Sequence, residues 1–315
     1  MKERSTLVPD LRVKLDTLTL NNPVLTASGT FGYAQEYSDF VDLNRLGGII
    51  TKSITRLPRI GNPPHRVIEV AGGMLNSIGL ANVGVEEFIR CKMPFLSTLR
   101  CKVIVNIAGE SIDEYEYVLL RLSEVEEKIA GYEINLSCPN VKEGGLTFGK
   151  DAKQVFRITA ALRKLTAKTL IVKLTPNVSD IGELGRAAAE GGADVLSAIN
   201  TFVGMAIDIR SRRPVLGKVI GGFSGPALKS LALAKIWELR KSVPLPLIGI
   251  GGIFSHEDVI EFMLVGASAV QIGTANFINP GISEKIVNDL EKYCQENHIA
   301  AITELIGALR DPTPV

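Results

Sequence analysis

The chain has 315 residues, of which 46% are hydrophobic and 22% are charged, so it can bury a large core. Its formal net charge of +1 lacks the strongly basic balance that nucleic-acid-binding domains usually show. No apolar run reaches the roughly 20 residues of a transmembrane helix, and the amino-terminal MKERSTLVPD has no secretory hydrophobic segment. We therefore expect a soluble, cytoplasmic protein without nucleic-acid or membrane partners.

Short apolar runs alternate with helical patterns along the chain. A hairpin is predicted over RVKLDTLTL at the bottom of the fold, and strands are predicted at 23–28, 48–53, 102–108, 131–137, 169–175, 193–200, 246–252 and 269–274. Most of these runs are apolar on both faces, as in parallel strands that are buried on both sides. Helical periodicity covers 111–130, 151–167, 179–191, 226–241 and 255–266, with predicted caps at Ser111, Asp151, Ser179 and Ser255.

Eight strand–helix units predict one (β/α)8 TIM barrel domain over residues 1–315, with an amino-terminal β-hairpin. A doubly wound sheet is the alternative, and it would need fewer strands and a clear switch point. Three long connections, 54–84, 139–150 and 202–225, each follow the carboxyl end of a predicted strand. Because a barrel carries its active site at that face, these long βα loops indicate where function lies.

Polar residues and glycines stand where the predicted strands end. Buried polar groups cost free energy unless they are paired. Their convergence at one end of the barrel therefore favours residues that bind a ligand over residues that only hydrogen-bond to each other within the structure. The strand ends carry Ser28, Lys52, Ser53, Asn106, Asn135, Lys173, Asn200, Thr201, Gly251, Gly252, Gly273 and Thr274.

The last two strands end in GIGGI and IGTA, which offer backbone N–H groups ahead of helices. This is the usual phosphate site of a barrel, although glycines at strand ends also serve simply as turns. The stretch is not a dinucleotide fingerprint, because it lacks the G-x-G-x-x-G spacing and a following acidic residue.

Lys173 and Asn76 each have a structural and a functional interpretation. Lys173 could be a snorkelling lysine at a strand end, or a cation beside the N1 region of a flavin ring. Asn76 could shape a turn, or act with Asn135 and Asn200 to bind a planar molecule with amide and carboxylate edges.

Cys138 follows the fourth predicted strand in EINLSCPNVKEGG, ahead of Gly144 and Gly145 as a hinge for a lid. The four cysteines are scattered without a C-x-x-C pair, which argues against a metal site and a disulfide framework. A thiol with a reference pKa near 8.5 can serve as a base close to neutral pH. The alternative is that Cys138 packs in the core as a small hydrophobic residue. The position of Cys138 among polar strand ends favours the reactive role.

Over nearly its whole length the sequence resembles dihydroorotate dehydrogenase, an FMN enzyme of pyrimidine biosynthesis. The matching stretches occur in family order: NPVLTASGTFG, TKSIT, PRIGNPPHR, GGMLNSIGLAN, INLSCPNVKEGG, VKLTPNV, INTFVGMAIDI, GGFSGPA, IGIGGI and ASAVQIGTANF. The resemblance implies that (S)-dihydroorotate is oxidised to orotate, with Cys138 as the base at C5 and hydride transfer from C6 to FMN.

The resemblance also implies two ligand sets. Substrate would contact Lys52, Asn76, Asn135, Asn200 and Thr201 and the backbone of Ser77, Ile78, Gly79 and Leu80. One FMN per chain would contact Ser28, Lys52, Ser53, Asn106, Asn135, Lys173, Ile199, Gly225, Gly251, Gly252, Gly273 and Thr274.

The quinone-linked branch of the family has Ser at the position of Cys138. The cysteine and the polar amino terminus therefore make this sequence similar to the cytosolic branches. The form SCPNVKEGG resembles the NAD-linked one. That branch implies a partner subunit with FAD and a [2Fe–2S] cluster, two copies of each subunit, and electron transfer to NAD+. The alternatives are a fumarate-linked dihydroorotate dehydrogenase, another FMN barrel such as the dihydropyrimidine dehydrogenase flavin domain, and a non-catalytic FMN-binding barrel. A tRNA dihydrouridine synthase fits less well, because no basic surface or RNA-binding appendage is visible.

Overall fold

Eight parallel strands close into a barrel in the computed structural model, which describes residues 8–136, 142–143 and 146–310. Each strand pairs with the next one along the chain, and the eighth pairs with the first. This closure confirms the predicted TIM barrel and excludes the doubly wound sheet. The strands are Val24–Thr26, Gly48–Ile50, Lys102–Ile107, Gly131–Asn135, Thr169–Lys173, Val195–Ala198, Leu247–Ile250 and Ala267–Ile272.

Helices cover the outside of the barrel, and the five predicted helical segments are all confirmed. The α-helices of these segments are Ile112–Ser123, Ala152–Arg163, Ile181–Glu190, Lys229–Ser242 and His256–Leu264. Two further helices, Ala275–Ile278 and Ile282–Glu296, were not predicted. Neither was the segment made of Val85–Glu87, a π-helical turn Phe88–Lys92 and Met93–Leu96. Short 3-10 turns lie at Gln35–Tyr37, Leu43–Arg45, Glu126–Lys128, Phe148–Lys150, Pro226–Leu228 and Ile302–Leu305.

Side-chain caps begin most of the long outer helices. Ser111 and Asp151 accept backbone N–H groups as predicted, and Ser255 forms a capping box with Asp258. The predicted cap at Ser179 is wrong, because Asp180 is the residue that accepts the N–H of Glu183, at 3.0 Å. Both residue types cap helices well, and only the backbone path decides between neighbours.

Two pairs of chain segments close the ends of the barrel. The predicted hairpin, Val13–Leu15 with Leu18–Leu20, lies at the bottom, where Thr17 Oγ1 is 3.5 Å from Thr169 Oγ1 at the start of the fifth strand. At the opposite end the two long connections that follow the second and sixth strands form one antiparallel sheet that was not predicted. Its strands, in spatial order, are Phe202–Gly204, Gly221–Ser224, Gly73–Asn76 and Val67–Val70.

Two further pairs of short strands lie in the connections. They are Ile207–Asp208 with Arg213–Pro214, and Lys142–Glu143 with Leu146–Thr147. The core lies between the barrel and its helices, where Ile104, Ile134 and Phe262 are fully buried. In the part of the chain that the structure describes, no helix is long and apolar enough to cross a bilayer.

Candidate active site

Asn135 joins polar residues from three strand ends at the mouth of the barrel. Its Nδ2 donates to Ser53 Oγ at 3.3 Å, and Asn200 Nδ2 donates to its Oδ1 at 3.4 Å. The hydroxyl of Tyr115 donates to the Asn135 backbone carbonyl at 2.8 Å. These bonds hold a buried amide in one orientation, so its position is set by the ends of the second, fourth and sixth strands.

The antiparallel sheet above the mouth brings Asn76 to the same place. Asn76 is the last residue of its strand, and its Nδ2 donates to the Gly222 carbonyl at 3.1 Å. Gly222 lies against Thr201, because a Cβ on that glycine would be 2.2 Å from Thr201 Oγ1. Thr201 is itself tied to Asn200, whose Oδ1 accepts its N–H at 2.8 Å. Asn76 therefore lies on a strand rather than shaping a turn, and it faces the sixth strand end.

Residues 77–80 leave this strand along an irregular path. Ser77 Oγ accepts from Asn62 Nδ2 at 2.9 Å, and the Ile78 carbonyl accepts the Asn62 N–H at 3.0 Å. Gly79 and Leu80 both have positive φ, +74° and +55°. The Ser77 hydroxyl is bonded to Asn62, and backbone contact of residues 77–80 with substrate stays a prediction.

Deeper in the barrel, Asn106 and Lys173 belong to a cluster built around Glu133, a residue that was not predicted for the site. Glu133 is fully buried, and its carboxylate accepts from Asn106 Nδ2 at 2.5 Å and Ser197 Oγ at 2.8 Å, and from Gln271 Nε2. Lys173 Nζ lies 3.7 Å from Glu133 Oε2. The sequence does carry a signal for this cluster. Glu133 is a carboxylic acid inside the apolar strand GYEIN, and Gln271 is a polar residue inside AVQIG.

The snorkelling interpretation of Lys173 is wrong. The residue is only 5% exposed and its ammonium is paired inside the barrel, whereas a snorkelling lysine keeps its ammonium in water. A buried cation is retained here because a carboxylate and an amide oxygen face it.

Lys52 presents a second cation, near the top of the mouth. It follows the second strand, and its backbone N–H donates to the Gly32 carbonyl at 2.8 Å. Burial lowers the pKa of its ammonium, and no carboxylate among the described residues pairs with it. A desolvated cation without an internal partner is suited to bind an anionic ligand.

Glycines shape the far side of the mouth. Gly225, Gly251 and Gly252 have φ values of +125°, +125° and +73°, which L side chains rarely adopt. A Cβ on Gly225 would lie 2.5 Å from Gly73 Cα, so this glycine also permits close contact between two chain segments. Thr274 Oγ1 donates to Ser224 Oγ at 2.8 Å, which joins the eighth strand end to the antiparallel sheet.

The backbone N–H groups of Gly252, Gly273 and Thr274 make no hydrogen bond to another described residue. Three such donors at neighbouring strand ends are suited to bind phosphate oxygens. Ile199 packs beside this region, because a Cβ on Gly251 would be 3.5 Å from Ile199 Cγ1. Ser28 is buried at the end of the first strand, next to the eighth.

The described residues fit the flavin that the sequence predicts. Asn106 Oδ1 is buried and has no hydrogen-bond partner among them. Because the carboxylate of Glu133 can only accept, it fixes the amide nitrogen of Asn106 toward itself and leaves the oxygen as an acceptor. A flavin ring carries an N–H of the matching kind, and the donors at the glycine-rich end match a phosphate.

Cys138 lies outside the described residues, as do Gly144 and Gly145, and its role as a base stays a prediction. The other three cysteines are free thiols, as expected. Burial raises the pKa of Cys101 to about 12 and also raises that of Cys294. A hydrogen bond with Glu87 raises the pKa of the exposed Cys91, so all three stay protonated at neutral pH.

Comparison with known proteins was made for both sequence and fold. The family model described as dihydroorotate dehydrogenase matches residues 10–294. A relative from Geobacter metallireducens, named dihydroorotate dehydrogenase B (NAD(+)), catalytic subunit, is 52% identical over 96% of this chain and 99% of its own. A relative of the same name from Desulforamulus reducens is 51% identical over 95% of this chain and 98% of its own.

Among solved structures, DHODH from Eimeria tenella in complex with ferulenol superposes with a TM-score of 0.78. The alignment covers 98% of this chain and 90% of that one at 24% sequence identity. This likeness supports the shared barrel fold.

Proposed function

This chain belongs to the dihydroorotate dehydrogenase family, and we propose that it is the catalytic subunit of an NAD+-linked dihydroorotate dehydrogenase of pyrimidine biosynthesis. It oxidises (S)-dihydroorotate to orotate within one FMN-binding barrel domain. The observation that carries this proposal is the match of nearly the whole chain to relatives named as NAD(+)-linked catalytic subunits. Free thiols in the described chain are typical of a reducing compartment, in agreement with a cytoplasmic enzyme.

We assign one FMN per chain to the mouth of the barrel. The N–H groups of Gly252, Gly273 and Thr274 are suited to its phosphate, and Asn106 Oδ1 to a ring N–H. Ser28, Lys52, Ser53, Asn135, Lys173, Ile199, Gly225 and Gly251 complete this shell. Bound FMN supplies the hydride acceptor of the reaction.

The substrate is held by amides and one cation. Asn76, Asn135 and Asn200 offer both donors and acceptors, which suits the alternating N–H and carbonyl edge of a dihydropyrimidine. The Lys52 ammonium pairs with the substrate carboxylate, which supplies the partner that it lacks among the described residues. Asn200 is bonded to Asn135 and Thr201, and Asn76 to the Gly222 carbonyl, so the three amides hold the substrate in one orientation, which lowers the entropic part of the barrier.

Cys138 takes the proton from C5, and the lid over 139–150 lies partly outside the described residues and stays a prediction. The reaction breaks the C5–H bond, and its electron pair forms the new C5–C6 double bond as C6 loses hydride. The thiolate becomes a thiol and later returns its proton to water. A thiol titrates close enough to neutral pH to perform this step without a histidine partner.

A second subunit carrying FAD and a [2Fe–2S] cluster passes the electrons on to NAD+, in an assembly with two copies of each subunit. The relatives' name, catalytic subunit, supports a partner of some kind.

Assay of the purified chain with three electron acceptors tests the assignment. We expect a yellow protein that dihydroorotate bleaches, with NAD+ reduction appearing only after a candidate iron–sulfur flavoprotein is added. Strong turnover with fumarate by the chain alone would place it in the fumarate-linked branch. Bleaching by dihydrouracil in place of dihydroorotate would indicate a different dihydropyrimidine substrate, and no bleaching at all would indicate a scaffold.

Cys138→Ala tests the base separately from binding. The variant should retain FMN and orotate binding and lose most turnover at neutral pH. Flavin reduction by dihydroorotate at the wild-type rate in stopped flow would remove Cys138 from the mechanism.

A further inference from the structure

The interior of the barrel holds one pair of opposite charges. Across the eight barrel strands, whose residues are all described, the charged side chains are Lys102, Glu133 and Lys173. Lys102 is exposed at the start of its strand, whereas Glu133 is fully buried and Lys173 is 5% exposed. The two interior charges therefore depend on each other for compensation.

Glu133 is held by neutral donors from three other strands. Asn106 on the third strand, Ser197 on the sixth and Gln271 on the eighth all donate to its carboxylate. The eighth strand is not a neighbour of the fourth, so these contacts cross the interior of the barrel. Such bonds fix where the carboxylate lies, but they supply no positive charge.

Lys173 supplies the positive charge. Its Nζ lies 3.7 Å from Glu133 Oε2 and 3.4 Å from Gln271 Oε1, and Gln271 also donates to Glu133. The same glutamine therefore orients both members of the pair. A buried ammonium without a counter-ion is costly, and a carboxylate at this distance compensates its charge.

We propose that Glu133 is a positioning residue that compensates the charge of the Lys173 ammonium and holds it in place beneath the flavin site. Through Lys173 it sets how strongly the protein stabilises the reduced flavin, since a fixed cation near the ring favours the anionic reduced form. The inference rests on the proposed FMN site. It gives a role to a buried carboxylate that the substrate chemistry does not use.

Few other ionisable groups face this pair. The first, second, sixth, seventh and eighth strands contribute none within their ranges, and the third contributes only the exposed Lys102. Tyr132 neighbours Glu133 in sequence, and burial raises its pKa, so it is neutral at physiological pH. Lys52, beyond the end of the second strand, is a further cation of the mouth.

A double-mutant cycle on the FMN-free protein tests the pairing. Glu133→Gln leaves Lys173 uncompensated, Lys173→Met leaves Glu133 uncompensated, and the double variant removes both charges. We expect the double variant to melt at a higher temperature than either single variant. If Glu133→Gln does not fold, recovery of folding in the double variant supports the pairing. Additive losses, or a double variant that does not recover, would overturn it.

The flavin midpoint potential as a function of pH tests the consequence. In Glu133→Gln, where no carboxylate compensates the Lys173 ammonium, the potential should fall more steeply with pH over part of the range than it does in the wild type. Neither the wild type nor the double variant should show this break. Ser197→Ala is the matched control, because it removes one hydrogen bond to the same carboxylate and no charge. A break in Ser197→Ala, or none in Glu133→Gln, would refute the role.

The two proposals fail in different ways. If the wild-type protein binds no FMN, the proposed function fails. The double-mutant cycle then still measures the interaction between Glu133 and Lys173. If the wild type binds FMN and dihydroorotate bleaches it, an unchanged pH profile in Glu133→Gln refutes the positioning role alone.

Discussion

Gly252 is the position where a single methyl group should be most informative about the phosphate end of the site. Its φ is +73°, and a Cβ there would lie 2.5 Å from the backbone nitrogen of Lys229 and 2.8 Å from its Cα. Lys229 begins the helix Lys229–Ser242, and its ammonium bonds Asp258 at 2.8 Å and Glu261 at 2.9 Å. Since that helix is anchored, its backbone cannot easily move to make room.

Gly252→Ala should therefore destabilise the FMN-free protein. The left-handed conformation costs an alanine about 1–2 kcal/mol, and a clash in a packed region typically costs about 1–3 kcal/mol more. Reduced entropy of the unfolded chain offsets about 0.4–1 kcal/mol of this. The net loss is about 1–5 kcal/mol, and because the unfolding entropy of a chain of this size is about 0.7 kcal/mol/K, the Tm falls by about 2–7 °C.

Gly273→Ala is the matched control from the same glycine-rich end. Its Cβ would lie 3.5 Å from Ala27 Cβ, an ordinary contact, and its backbone does not have a left-handed φ. Calorimetry of the FMN-free protein should show a change within about 0.5 kcal/mol for this variant. An unchanged Tm for Gly252→Ala, or an equal loss in both variants, would refute the steric reasoning.

Three further predictions concern charge, capping and the base. Because burial lowers the pKa of Lys52, the unfolded chain holds more protons between that lowered pKa and the ordinary value of 10.5, so wild-type stability rises with pH across this range. In urea unfolding, Lys52→Met should lose this rise of stability with pH and should be more stable than the wild type at pH 7 by on the order of 1 kcal/mol. It should also lose orotate binding. A rise of stability with pH that persists in the variant would refute Lys52 as its source. Ser255→Ala removes a capping box and should lower the free energy of unfolding by about 1 kcal/mol. Ser179→Ala should change it very little, because Asp180 is the cap of its helix, and equal Tm shifts in the two variants would contradict these cap assignments. Cys138→Ser should slow flavin reduction at pH 7 by about 100-fold or more, since a hydroxyl is far less acidic than a thiol; a rate equal to that of Cys at pH 7 would exclude proton removal by this side chain.

Local patterns were sufficient to predict the barrel strands. Most strands are short runs that are apolar on both faces, and that property belongs to the run itself rather than to its partners. The predicted ends extend past the hydrogen-bonded ranges, as for 23–28 against Val24–Thr26, because the polar residues that follow leave the strand ladder, and Ser28 already lies in a turn. Those same residues form the mouth, since parallel strands in a closed barrel all end at one face.

The antiparallel sheet above the mouth could not be predicted in the same way. Asn76 and Gly222 are 146 positions apart, and the strands that carry them are rich in glycine and interrupted by loops. Nothing local in either segment indicates the other as its partner. Their pairing depends on the barrel having placed the second and sixth strand ends where two long connections can meet.

The sequence by itself determined the eight-strand repeat, the face that carries the site and the family, because apolar periodicity and motif order are properties of the chain alone. Tertiary structure decided which polar groups meet. Glu133 and Gln271 are 138 positions apart and lie on strands that are not neighbours, yet the curvature of the closed sheet brings them into contact. Whether a buried charge is compensated depends on such contacts across the interior, which arise only when the barrel closes.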